Sequence, residues 1–337
     1  MRWVILAAML LMSGCATDPL SQLETSTPSI SPSQLRELQK HVQPFTQTQF
    51  NGSKTVTVPL VRIPSDDPRA PYRVPVILAT LNGKANVRVL LDSGSNRNLF
   101  GYSLARELAI PLAAGMNPVG SHGIGGAVDN YLAVVPAMQV GALEWRNLEA
   151  LIGPDAQALS LTRSFWNHQQ AMIVGLNTLA NLSYLTIDNR HGTVTFGMDA
   201  YSLGTGLVVV TSAPFQWVGG LPVVELMLEK QWSYRCVLDT GGDYGLLIPR
   251  GVAKLHGYWK PGSGKVDASS GVAGAALVTG YEVHEAKLGE ATLLKIPART
   301  TLTGPEPAGG ELLLGNVVLR RYRVTFDFKN NVLWLER

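Results

Sequence analysis

The sequence predicts an all-β protein, mainly strand with a few short helices, folded as two similar lobes. Three observations predict it. Four landmarks recur in the same order in the two halves of the chain. Stretches of β-branched and aromatic residues alternate with polar ones and end in turn residues. The 337 residues are 46% hydrophobic with 34 Gly and 20 Pro, which fits turn-rich sheets around real cores.

The elements follow in chain order. Arg2 and the apolar run Trp3 to Met12 form a leader too short to span a bilayer as a mature helix. It runs into Leu11-Met12-Ser13-Gly14-Cys15, which resembles a bacterial lipobox, with Met12 where Leu is usual. The resemblance implies a signal peptide over 1–14 and a lipid on Cys15. Ala16, rather than Asp, implies sorting to the outer membrane. Residues 15–54 are rich in Ser, Thr, Pro and Gln and read as a tether, with a short helix over 33–41; a pro-segment is the other reading of 16–54.

The first lobe spans 55–200. Thr55 to Val61 alternates and reads as a strand, as do Val74 to Thr80 and Ala85 to Leu91, with a hairpin at Leu81-Asn82-Gly83-Lys84. Ser103 to Leu108 has helical character and stops before Pro111. Gly120 to Gly126 reads as a flexible loop, and strands follow through Tyr131 to Val140. The second lobe, 201–337, repeats the plan. It has strands over 206–210, 221–228 and 232–238, a short helix near 252–255 and a Gly/Ala-rich loop over 269–276. The boundary falls between Met198 and Gly206.

The landmarks carry the chemistry. Val89-Leu90-Leu91-Asp92-Ser93-Gly94 and Cys236-Val237-Leu238-Asp239-Thr240-Gly241 are apolar strands running into Asp-Ser/Thr-Gly, 147 positions apart. Pro75 precedes Asp92 by 17 residues, and Pro222 precedes Asp239 by 17. Ile173-Val174-Gly175 answers Leu313-Leu314-Gly315, and Leu185-Thr186-Ile187-Asp188 answers Val324-Thr325-Phe326-Asp327. A lone Asp-Ser-Gly reads as a surface turn, whereas four landmarks at nearly constant spacing mark a duplication. Each Asp is a carboxylate held in a tight turn, with Gly94 and Gly241 letting the backbone pass close by. Two such turns face to face make a carboxylate pair, which shares one proton because like charges at close range resist ionising together.

On these residues, 55–337 resembles two retropepsin-type lobes joined in one chain, a bilobal, pepsin-like aspartic protease of the acid-protease β-barrel kind. The resemblance implies that Asp92 and Asp239 are catalytic and that the Ser93 and Thr240 hydroxyls brace one lobe against the other. It implies that the two apolar-apolar-Gly segments pack beside the turns. It also implies a β-hairpin flap near Gly123, Gly125 and Gly126, with Tyr131 the nearest counterpart of a flap tyrosine, left unassigned. One place after the glycines the halves differ, with Ser95 in one and Gly242 in the other. A Ser95 hydroxyl that stabilises ionised Asp92 would make Asp92 the base and Asp239 the proton holder.

Partners and competing classes follow. A net charge of +3, with 16% charged residues and no basic run, argues against nucleic acid. Polypeptide is the implied substrate, with no cofactor and no metal, since no Cys/His cluster has ligand spacing. His122, His168 and His191 read as surface-loop residues. Cys236, in the apolar strand before Asp239, reads as a buried inert thiol. The chain is expected to be a monomer of two pseudo-symmetric lobes, held by lipid in the bacterial envelope. The alternatives are a catalytically inactive peptide-binding lipoprotein of the same fold, kept open by Gly242, and a structural lipoprotein that scaffolds a partner.

Overall fold

The computed structural model describes residues 29–30, 33, 46–63, 72–110, 112–113, 119–123, 126–153, 171–260, 266–271, 274–304, 306 and 310–337. The leader, Cys15 and most of the tether lie outside these residues. Of residues 15–54, Ser29–Ile30 pairs with Leu112–Ala113 and Gln47–Phe50 pairs with Leu143–Arg146 at a sheet edge.

The chain is mainly strand, with four short helices among the described residues: Tyr102–Glu107, Leu176–Leu179, Arg250–Leu255 and Asn316–Leu319. Six strands of the first half close on themselves. In sheet order they are Val76–Leu81, Lys84–Leu91, Ala171–Val174, Asn98–Gly101, Leu143–Gly153 and Gly126–Val140, and the last pairs back to the first. The second half closes in the same order with Leu221–Leu228, Trp232–Asp239, Leu312–Gly315, Leu246–Leu247, Ala291–Thr301 and Gly274–Leu288. Closure leaves neither barrel an open edge among these strands.

A six-stranded sheet joins the barrels. Thr55–Pro59, Thr193–Gly197 and Tyr184–Asp188 come from the first half; Arg323–Asp327, Val332–Glu336 and Val209–Pro214 come from the second. At its centre Thr186 stands opposite Thr325, its own counterpart in the duplication, and their hydroxyls are 2.9 Å apart. An approximate two-fold axis therefore passes between them. The sheet shares one large apolar core with the two barrels, centred on residues such as Trp145, Phe196 and Phe326; Trp145 meets Phe196 edge-on at 5.6 Å.

The local readings hold with few shifts. Asn82 (φ 44) and Gly83 (φ 85) are both left-handed, the two-residue turn a hairpin needs, and Leu81 pairs with Lys84. The helices fall at Tyr102–Glu107 and Arg250–Leu255. The strand expected over 206–210 instead begins at Val209, because Gly206 turns the chain at φ 81. The described residues of the stretches read as loops at 120–126 and 269–276 are the ends of paired strands. Val119–Gly123 runs against Gly126–Asn130, and Val266–Gly271 against Gly274–Thr279.

Candidate active site

Strand pairing places the two Asp-Ser/Thr-Gly turns. Ala171–Val174 runs parallel to Lys84–Leu91 with Val174 beside Leu91, and Asp92 N–H donates to the Val174 carbonyl at 3.0 Å. Leu312–Gly315 runs parallel to Trp232–Asp239 with Leu314 beside Leu238 and Gly315 beside Asp239. The register is the same in both halves. The strands ending at the turns are buried on both faces: Val89 and Leu91 enter the main core, while Leu90 packs with Val76 and Ile173 in a smaller cluster. Cys236 and Leu238 enter the main core, and Val237 packs with Val223 and Leu313. Burial on both faces explains why these strands read as continuous apolar runs rather than alternating ones. Cys236 is buried without a disulfide, and burial pushes its thiol far above the ordinary range, so it stays protonated and inert.

The two turns grip each other across the axis. Ser93 N–H donates to Thr240 Oγ1 at 3.0 Å, and Thr240 N–H donates to Ser93 Oγ at 3.1 Å. Ser93 Oγ donates to the Leu238 carbonyl and Thr240 Oγ1 to the Leu91 carbonyl, each at 2.8 Å. Both side chains are 1% exposed. The reciprocal geometry brings the Asp92 and Asp239 carboxyls together, each lying against the glycine of the opposite turn.

The glycines matter for a reason other than turn geometry. Neither Gly94 nor Gly241 has a positive φ. A Cβ on Gly94 would lie 2.5 Å from Asp239 Cγ, and a Cβ on Gly241 would lie 2.5 Å from Asp92 Cγ. Each glycine makes room for the opposite carboxyl. Gly175 and Gly315 similarly admit the chain after each turn: a Cβ there would lie 2.4 Å from the Arg97 carbonyl oxygen or 2.2 Å from that of Tyr244.

Burial raises both carboxyl pKa values. Asp92 is pushed well above its ordinary 3.8, by burial first and then by the charge of Asp239, against a Gly94 N–H that donates to its Oδ1 at 2.8 Å. Asp239 is also raised by burial but is opposed by hydrogen bonds, first from Tyr244 and also from Gly242, whose N–H reaches Oδ1 at 2.8 Å. The expectation that Asp92 is the base loses its support. Its premise fails because Ser95 Oγ donates to the Arg97 carbonyl at 2.8 Å instead of to Asp92.

Two contributing residues escaped the sequence reading. Tyr244, buried, donates its phenol proton to Asp239 Oδ2. Asn98, fully buried, accepts from Gly175 N–H at 3.0 Å and donates to Thr178 Oγ1 at 2.7 Å and the Glu149 carbonyl at 2.8 Å. It fastens the chain after Asp92 to the segment beside the turn. Its counterpart, Gly245, uses its own carbonyl to accept from Gly315 N–H at 2.8 Å. Of the flap positions, Gly123 and Gly126 pair at the end of their hairpin, and Gly125 lies outside the described residues. Tyr131 stands opposite Ile152 in the barrel ladder.

Residues 77–199 match the family model described as aspartyl protease. That segment carries Asp92 and ends before Asp239. The match covers the first half, and the second half repeats that half's closed strand order and its Asp-Thr-Gly turn. Among solved structures, the chain is similar to the aspartic proteinase from Irpex lacteus. The two share 13% identity over 83% of this chain and 96% of that one, with a TM-score of 0.47. No curated protein matches the chain significantly.

Proposed function

We propose that the chain is an aspartic endopeptidase, hydrolysing peptide bonds in polypeptides with a water activated between Asp92 and Asp239. The observation that carries the reading is the meeting of two carboxyls, one from each copy of a duplicated turn and each packed against the glycine of the other, in a buried setting that raises both pKa values. Such a pair holds one proton between its acid and base titrations. The ionised member takes a proton from water as the oxygen bonds to the scissile carbonyl carbon. The protonated member donates to the carbonyl oxygen. As the C–N bond of the tetrahedral diol breaks, the carboxyl that took the water's proton gives it to the leaving nitrogen, one diol hydroxyl returns its proton to the other carboxyl, and an amine and a carboxylic acid leave. The paired strands Val119–Gly123 and Gly126–Asn130 form the flap that closes over a peptide in the cleft.

We place the enzyme as a monomer in the bacterial envelope, held by lipid on Cys15 at the periplasmic face of the outer membrane. The run ending in Gly14-Cys15, and Ala16 after it, support this reading.

Digestion of a peptide library by the purified full-length chain, from acid to neutral pH, tests the reading. Wild type should produce defined cleavages, and Asp92→Asn and Asp239→Asn should each produce none while remaining folded. A folded wild type that cleaves nothing at any pH would mean that the cleft binds peptide without cutting it.

A further inference from the structure

The two halves are nearly symmetric at backbone level around the carboxyls, but not in their side chains. Five residues after Asp239 stands Tyr244; five after Asp92 stands Arg97. The main chain of both sits against the equivalent glycine, Gly315 or Gly175. Arg97 turns outward and pairs with Glu149. Tyr244 turns inward, is 5% exposed and donates to Asp239 Oδ2.

Room for its ring depends on two missing side chains. A Cβ on Gly242 would lie 2.5 Å from Tyr244 Cε1 and 2.7 Å from Asp239 Oδ2, and one on Gly315 would lie 2.6 Å from Tyr244 Cδ2. Gly242 is therefore not a lost hydroxyl. It vacates the space through which a hydroxyl arrives from two residues further on.

We propose that Tyr244 is a positioning residue that assigns the roles of the pair, holding Asp239 as the carboxylate that takes the proton from water and leaving the shared proton on Asp92. The assignment rests on the hydrolytic reading above for its catalytic meaning, but not for its chemistry. A phenol that donates to a carboxylate in a water-poor setting strengthens with the carboxylate's charge. On the Asp92 side the corresponding serine, Ser95, spends its hydroxyl on a backbone carbonyl. The other titratable groups around the phenol are Asp92 and Cys236, and Cys236 stays neutral. Asp243, next in the chain, is neutralised by Arg73 and faced by Arg320.

Two readouts test it. In the pH profile of kcat/KM, the acid limb reports the first proton leaving the pair. Tyr244→Phe keeps the ring and removes the donor, so the limb should move to higher pH by about one unit. A role in packing alone would lower kcat/KM at every pH and leave the limb in place, and that result would overturn the proposal. Gly242→Ser with Tyr244→Ala clears the ring and supplies a hydroxyl next to Asp239; this double variant should bring the limb back towards wild type. Failure to do so, with the protein folded, would also count against it.

The second readout needs no activity. With 13C-carboxyl-labelled Asp in the full chain, and Asp92→Asn and Asp239→Asn to assign the signals, NMR follows the pair through pH. In wild type the lower titration should belong mainly to Asp239, and Tyr244→Phe should raise it. A lower step carried mainly by Asp92, or unmoved in Tyr244→Phe, sinks the assignment whether or not peptides are cut. A raised step in a protein that cuts nothing sinks the hydrolytic reading instead.

Discussion

Replacing Thr240 by Val removes one half of the grip without changing the side chain's shape. Thr240 Oγ1 accepts from Ser93 N–H at 3.0 Å and donates to the Leu91 carbonyl at 2.8 Å, with both side chains essentially out of contact with solvent. Val leaves no cavity, so packing terms are small and the loss is polar. A buried N–H is left without its acceptor and a buried carbonyl without its donor. At about 1–3 kcal/mol for each of the two unmet groups, the variant should lose roughly 2–6 kcal/mol. Against a total of about 5–15 kcal/mol the protein should still fold. Equilibrium urea unfolding at neutral pH reads this as a lower midpoint with the slope unchanged. Activity should fall further than stability implies, because the freed turns carry the carboxyls, and a misplacement of about 1 Å can cost ~100-fold in rate. Ser93→Ala removes the reciprocal pair of bonds and should behave alike. The double variant should lose less than the sum, by about 0.5–3 kcal/mol, since each half of the grip holds the other in place. A Thr240→Val cost below about 0.5 kcal/mol would show that the turns do not grip each other, and the argument for how the pair is assembled would fall with it.

Two further outcomes follow from the same geometry. Asp92 titrates well above 3.8 in the folded chain because it is buried beside Asp239. The stability tied to its protonated form is therefore complete below about pH 3.8 and is lost as pH rises through the folded value. Asp92→Asn, neutral throughout, should have a higher Tm than wild type near neutrality, by roughly 2–8 °C. The gap should close in acid; a variant less stable at neutral pH, or a gap independent of pH, contradicts the shift. Asn98→Leu strips Gly175 N–H of its acceptor and takes donors from Thr178 and Glu149, and should cost roughly 2–5 kcal/mol by thermal unfolding; a change within 0.5 kcal/mol, the ~0.5 kcal/mol typical of surface sites, refutes the role given to it.

The duplication was legible because its signals are local. An apolar run ending in Asp-Ser/Thr-Gly dictates a buried strand and a tight turn, and the second copy adds the pairing. The hairpin at Asn82-Gly83 is equally local, as its two left-handed residues show. What escaped depended on side-chain direction. Nothing near Tyr244 in sequence says that it faces inward, because the slot it fills is made partly by Gly315, 71 residues on. Ser95 was assigned to Asp92 because the two are neighbours in the chain, but a carbonyl two residues away captured its hydroxyl. The sharing of a six-stranded sheet was hidden for the same reason. Tyr184–Asp188 and Arg323–Asp327 each read as a strand, and neither states that its partner lies 139 residues away.

The central claim is that the two carboxyls form a single site in which neither works without the other. Its most direct test is kcat/KM on one cleaved peptide for wild type, Asp92→Asn, Asp239→Asn and the double variant. Acid and base assistance are each worth about 100- to 10,000-fold, and residues acting as a unit are lost together. Each single variant should therefore lose at least about 10,000-fold, and the double variant should be no worse than either. Losses that multiply in the double variant, or one single variant that keeps near-wild-type activity, would contradict the account.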